Sequence, residues 1–211
     1  MVARRGYSTS SKPSPTSPSS TPAITKIEST STAGPSLPHL TSTGTPHMVS
    51  VSGKAQTLRT AIATGTIHFG NPMPFKLIRS NSLEKGDVLS VSRIAGIMAA
   101  KRCPDFVPLC HPIMLTHVGV KLALFRGSEG DDGKRGFGGV VVEAKVQCEG
   151  QTGVEMEALT SVMGAALSVV DMCKAVDKAM VISDVRVVLK EGGRSGKWEE
   201  PGWKSVEEGG V

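Results

Sequence analysis

The sequence predicts an α+β fold in which helices pack on one face of an antiparallel sheet. Three observations predict it. Val118, Val120, Leu122 and Leu124 alternate with small or polar residues, as do Val140, Val142, Ala144, Val146 and Cys148, which is the two-residue period of half-buried strands. A long helical pattern follows, from Glu155 or Thr160 to Ala179. A third alternating run, Val181 to Leu189, comes after it. Strand, strand, helix and strand in succession give a two-layer sandwich of ferredoxin-like type.

Before these elements lies a stretch of different composition. Residues 1–47 carry Arg4, Arg5, Lys12 and Lys26 against the single acid Glu28, with Ser, Thr and Pro through most of the rest. Too little apolar surface is available there to offset the entropy of ordering, so a disordered tail is expected. Its opening, Met-Val-Ala-Arg-Arg-Gly-Tyr-Ser-Thr-Ser, has the basic, hydroxyl-rich, acid-free composition of a mitochondrial presequence. A linker or the remnant of a longer chain has the same composition, and the prolines oppose the helix a presequence needs. The expected domain spans residues 48–197, with 198–211 as a polar C-terminal tail.

Within the domain, Ile94, Ile97, Met98 and Lys101 follow helical spacing over Arg93 to Arg102, and Pro104 ends that helix. Pro108 and Pro112 restrict the loop that carries Leu109, Cys110 and His111. Arg126 to Gly136 is a glycine-rich hairpin connection. On the long helix, Leu159, Val162, Ala166, Val169, Cys173 and Val176 form the expected buried stripe. Gly164, Ser168, Asp171, Ala175 and Lys178 lie opposite, where small residues leave room for a ligand or a neighbouring subunit.

The 211 residues have a formal charge of +5, much of it in the tail and in scattered lysines. With two Trp, one Tyr and five Phe, no basic stripe with stacking aromatics is available for nucleic acid. No run of about 18 apolar residues suggests a membrane span. The four cysteines, Cys103, Cys110, Cys148 and Cys173, have the spacing of neither a disulfide scaffold nor a paired zinc motif. Reduced thiols are expected. Zinc is disfavoured because Cys110 and His111 are adjacent and no second pair follows at ligand spacing.

Polar groups gather at Lys85-Gly-Asp87, at Lys101 and His111, at Glu155-Met-Glu157, and at Asp171 with Lys174. Several ammonium groups suit a substrate bearing phosphates. Asp171 and Lys174, three residues apart on a helix, read either as an exposed ion pair worth about 0.2–0.5 kcal/mol or as a proton-transfer pair. His111 reads as a structural imidazole or as a contact to a phosphate or a guanine-like edge. Glu155 and Glu157 read as first-turn acids or as acceptors for ring nitrogens. Gly192 to Gly196 has the composition of an anion-binding nest.

Taken in order, Met48 to Lys54, Lys85-Gly-Asp87, Arg93 to Lys101, Pro108 to Leu115, Thr152 to Thr160, Asp171 to Ala175 and Lys190 to Gly196 resemble the cyclic pyranopterin monophosphate synthase family of molybdenum cofactor biosynthesis. The resemblance covers about residues 46–197. It implies a lyase that converts a cyclic dihydroguanosine triphosphate, made by an upstream radical enzyme, into cyclic pyranopterin monophosphate and diphosphate without a cofactor or metal. It implies Asp171, Lys174 and Lys85 as catalytic residues. Leu109, Cys110, His111, Met156 and Glu157 are the implied substrate-binding residues, with Lys101, Glu155 and Lys190 completing the pocket. It further implies a homohexamer, a trimer of dimers with interface active sites. Joined to the tail, it points to the mitochondrial matrix, with the cytoplasm as the alternative. Neither nucleic acid nor membrane is an expected partner. Two departures stand out: Ser50 replaces an acid usual in the family, and Gly127 to Gly139 is longer than the family pattern. The competing reading is a non-catalytic purine-nucleotide-binding regulatory module, which would bind without releasing diphosphate.

Overall fold

A computed structural model describes residues 39–127 and 136–207. Its elements are β1 (Thr57–His68), α1 (Met73–Arg79), α2 (Val88–Lys101), α3 (Cys103–Phe106), β2 (Leu115–Phe125), β3 (Gly139–Gly150), α4 (Glu155–Cys173), β4 (Val181–Glu191) and β5 (Trp198–Glu199). The five strands form one sheet in the order β2-β3-β1-β4-β5, every pair antiparallel. The expected α+β sandwich is therefore present. The first four strands have the βαββαβ connectivity of the ferredoxin-like arrangement, and β5 adds a two-residue edge.

The central strand, β1, is the element that alternation misses. Ala61, Ile62 and Ala63 are consecutive and all buried, because one face of β1 lies under α4 and the other under the C-terminal segment. Two-sided burial erases the two-residue pattern. Gly65 adds a further break: a Cβ there would lie 2.7 Å from Val162 Cγ1, so a side chain would push α4 off the strand. On β2 and β3 the alternation holds, with Val120, Leu122, Leu124, Val140, Val142, Ala144, Val146 and Cys148 all buried. These residues share one core with Val162, Ala165, Ala166, Val169 and Cys173 of α4.

α2 begins before the first residue of its expected range because Asp87 caps it, its carboxylate accepting the Ser90 amide at 3.0 Å. Pro104 lies at the start of α3, where its missing N–H costs nothing. α4 stops at Cys173, short of the expected Ala179. The Val176 and Asp177 amides both return to the Cys173 carbonyl. The Asp177 carboxylate, buried, accepts the Gly70 amide at 2.6 Å and the Ala179 amide at 2.9 Å, fixing the turn. By length and composition α4 is apolar enough to cross a membrane, but its apolar side is spent on the sheet.

The small residues on the side of α4 away from the sheet serve the chain's own packing. A Cβ on Gly164 would approach Ala99 Cβ of α2 to 2.3 Å, and one on Gly96 would meet the Ser161 carbonyl at 2.9 Å. Ser92 donates across the same crossing to Ser168 at 3.1 Å. Gly164 and Ser168 thus face α2 rather than a ligand or another subunit. Asp171, Lys174, Ala175 and Lys178 remain exposed.

Residues 198–207, expected as a polar tail, cover part of the opposite sheet face. Trp203 packs on Ile62, Val188 and Leu189. Arg186 donates through Nε and Nη2 to Glu200, at 2.8 and 2.9 Å. Buried Glu143 receives the Ser205 hydroxyl at 2.7 Å and the Val206 amide at 2.9 Å, with Lys121 3.4 Å away. The expectation for the N-terminal tail lies almost entirely outside the described residues, as does most of the 126–136 connection.

Replacing Gly164 by Ala tests the helix crossing. Helix propensity alone favours Ala by about 1 kcal/mol, whereas forced overpacking costs about 1–3 kcal/mol. Denaturant unfolding is expected to show net destabilisation that Ala99→Gly partly reverses. A stabilised Gly164→Ala protein would contradict the close crossing.

Candidate active site

Two polar regions lie at the two ends of α4. At its C-terminal end, Lys174 donates to Asp171 Oδ1 at 2.5 Å across the i,i+3 spacing. Lys85 donates to Asp171 Oδ2 at 2.9 Å and to the Asp171 carbonyl at 2.8 Å. Lys85 is brought there by the turn ahead of α2, in which the Gly86 amide bonds to the Leu83 carbonyl and Gly86 adopts φ +88°. Both ammonium groups also complement the negative end of the helix dipole. The hydrogen bonds and charge of Lys174 and Lys85 hold the Asp171 carboxyl down at about 2. Side chains of all three are about half exposed.

At the N-terminal end two cavities of about 680 and 600 Å³ adjoin, sharing Lys54, Thr152, Gly153, Glu155 and Arg194. The first is cationic, with Lys54, Arg59, Lys190 and Arg194 against Glu155 and Glu191. The Gly192–Gly196 loop wraps Arg59: Gly192 and Gly193 have φ of +101° and +72°, and a Cβ on Gly193 would overlap Arg59 Nη1. Arg59 is anchored by donating from Nε to the Gly150 carbonyl at 3.2 Å. Lys190 reaches Ser195 Oγ at 2.7 Å. The second cavity is lined by Leu109, Cys110, His111, Met156 and Glu157, with Ser50 on its wall. Ser50 Oγ lies 2.9 Å from Ser52 Oγ.

The fold thus brings seven of the expected pocket residues together: Leu109, Cys110, His111, Glu155, Met156 and Glu157 around the second cavity, and Lys190 in the adjoining one. Lys101 is exposed at the end of α2 and lines neither cavity. Asp171, Lys174 and Lys85 cluster elsewhere. Sixteen residues of α-helix separate Glu155 from Asp171, about 24 Å at 1.5 Å per residue. His111 and Asp171 therefore do not meet within one chain.

Burial controls the ionisation of the second cavity. It raises the Glu157 carboxyl, with help from Glu155. It also pushes the Cys110 thiol up to about 12, reinforced by Cys103 and Glu157. Cys110 is accordingly a protonated thiol at neutral pH rather than a nucleophile.

Residues 48–193 match the family model described as the MoaC family. The chain belongs to the MoaC family. Among its relatives, a protein of Roseiflexus castenholzii named cyclic pyranopterin monophosphate synthase is 48% identical over 161 residues, covering 76% of this chain and 96% of the relative. One of the same name from Chloroflexus aurantiacus is 48% identical over 165 residues, covering 78% and 95%. Every site residue expected from the sequence falls inside the MoaC-family match.

Arg59 of this MoaC-family chain has no signal of its own in the sequence, and Lys54 and Arg194 lie in blocks that carry the family resemblance without standing out there as site residues. Arg59 sits on β1, the strand that alternation misses. Arg194 carried a signal in its glycine-rich setting, but only the fold shows that this loop closes on Arg59.

The Asp171 cluster has a direct test. Its folded carboxyl lies below the ordinary 3.8, so its contribution to stability is complete above that value and is lost as pH falls toward about 2. Carboxyl-carbon NMR titration of Lys174→Ala should show the Asp171 pKa moving up toward the ordinary range. An unmoved pKa would rule out Lys174 as the dominant partner.

Proposed function

We propose that this chain is a cyclic pyranopterin monophosphate synthase. It is a phosphorus–oxygen lyase that converts (8S)-3',8-cyclo-7,8-dihydroguanosine 5'-triphosphate into cyclic pyranopterin monophosphate and diphosphate in molybdenum cofactor biosynthesis. The observation that carries the reading is a cationic cavity adjoining a second one that holds the buried Glu157 carboxyl, in a chain of the MoaC family. Lys54, Arg59, Lys190 and Arg194 suit a triphosphate, because diphosphate departure builds negative charge on oxygens that fixed cations stabilise. Glu155 and Glu157 suit the ring nitrogens of the heterocycle. The substrate comes from an upstream radical enzyme.

In this reading Asp171, Lys85 and Lys174 move protons during ring opening and closure. A carboxyl held at about 2 is a weak base, far from the near-neutral value that favours proton transfer. Burial against a second copy of the chain would raise it. The same step would bridge the 24 Å between the two ends of α4, the trio of one copy meeting the cavities of another.

An apolar surface suited to such assembly is present. On α2, Val91, Ile94 and Met98 are exposed, and on α4 so are Met163 and Leu167, with Ile94 at 62% and Leu167 at 57%. Exposed large side chains grouped on packed helices mark association surfaces. The proposed assembly is a homohexamer, a trimer of dimers. The proposed location is the mitochondrial matrix, supported by the basic, acid-poor first residues and by four cysteines that are all free thiols.

Purified chain incubated with the cyclic dihydroguanosine triphosphate should release diphosphate and pterin product together. Binding without release would favour the regulatory nucleotide-binding module. Asp171→Ala and Lys174→Ala should keep the fold and lose turnover by about 10²- to 10⁴-fold, and wild-type turnover in either would sink their assignment. Ile94→Asp should yield smaller species by light scattering with turnover lost. A fully active monomer would overturn the shared site.

A further inference from the structure

We propose that Trp203 and Glu143 are positioning residues for the cationic cavity, holding the Gly192–Gly196 loop closed on Arg59 by way of the C-terminal segment. This rests on the reading of that cavity as the site for the substrate's phosphates. Neither Trp203 nor Glu143 lines it; both act on the chain that follows the loop.

The loop has little of its own to fix it. It joins β4 to β5, and β5 pairs with β4 at two positions, Lys190 with Trp198 and Leu189 with Glu199. Gly192, Gly193 and Gly196 all adopt positive φ, and glycine leaves a loop without outside support many alternative conformations. Its internal ties are a bond from the Gly196 amide to the Gly193 carbonyl at 3.3 Å and the contact of Lys190 with Ser195. Closure also gathers Lys190 and Arg194 with Lys54 and Arg59 around one cavity, against Glu155 and Glu191. Before a polyanion arrives, repulsion among these cations opposes the closed form.

The residues after β5 supply the restraint. The Glu200 amide bonds to the Val188 carbonyl at 2.8 Å, and its carboxylate takes Nε and Nη2 of Arg186. Trp203 packs on Ile62 of β1 and on Val188 and Leu189 of β4. The chain then crosses to β3, where Glu143 accepts the Ser205 hydroxyl at Oε1 and the Val206 amide at Oε2. Lys121 of β2 completes the tie, donating to Ser205 Oγ at 2.9 Å. Glu143 is 3% exposed, so water competes little for these charge-assisted bonds. The segment is thereby pinned across all four long strands, and the loop it follows cannot swing outward without straining those ties. The MoaC-family match ends at residue 193, so this brace lies beyond the matched part of the chain.

The test measures inorganic triphosphate binding to the full chain by calorimetry, beside turnover of the cyclic dihydroguanosine triphosphate and hydrogen exchange of the loop amides. Trp203→Ala releases the brace. A loop then closed about one-tenth of the time binds triphosphate about tenfold more weakly. KM should rise by a similar factor with kcat held, and the loop amides should exchange faster. Trp203→Phe should restore the wild-type values. Arg194→Ala should weaken triphosphate binding alone and add little to Trp203→Ala, because the two act through one contact. Should Trp203→Ala not fold, Val206→Pro, which removes one donor to Glu143 and no core side chain, must give the same shifts. A lowered Tm with triphosphate affinity and KM unmoved in both variants would show a merely structural role and overturn the proposal, as would full additivity with Arg194→Ala. Triphosphate binding that Arg194→Ala leaves intact would overturn the phosphate reading of the cavity itself, and the proposal with it.

Discussion

The packing of α4 on the sheet is the constraint on which the rest depends. Val162 and Val169 are fully buried, each worth about 1.5–3 kcal/mol of burial. Gly65 lets Val162 press onto β1, and Gly96 and Gly164 let α2 close on the other side. A helix held on two sides cannot bend or slide without opening the core. It therefore acts as a rigid spacer that fixes the distance between the polar groups at its ends.

That spacing gives each end its own chemistry. The N-terminal end carries cations lining a cavity, the buried Glu157 carboxyl and protonated thiols. At the C-terminal end one carboxylate is locked between two ammonium groups in water. The first suits a bound polyanion, and the second suits proton transfer once water is excluded. In the proposed reading neither end is a complete site, and the proposed oligomer would set one against the other with no change of fold.

Much of this was legible in the sequence where one period governed a segment. β2, β3 and α4 each present a single buried stripe, so alternation or helical spacing found them; α2 showed itself by the spacing of Ile94, Ile97 and Met98, a face the fold leaves largely exposed, and β4 by an alternation that breaks where Val188 and Leu189 are both buried. β1 lies buried on both faces, and its Ala61-Ile62-Ala63 run hides the period. The end of α4 depends on Asp177 bonding to Gly70, a contact between residues 107 positions apart that no local pattern contains. Site residues followed the same rule. Asp171 and Lys174 were readable from their spacing, and Lys85 joined them through family motifs. The convergence of Arg59 with Arg194, and of Cys103 with Cys110 and Glu157, arises only from the tertiary fold.

The central claim is that one chain's Asp171 cluster works on a ligand held in another chain's cavity. Subunit mixing tests it most directly. Asp171→Ala and His111→Ala proteins, each inactive alone, are dissociated, mixed and reassembled, and turnover is measured on the mixed oligomers. Shared sites predict regained activity, because some interfaces pair an intact Asp171 with an intact His111. Mixed oligomers that form and remain inactive would contradict the account.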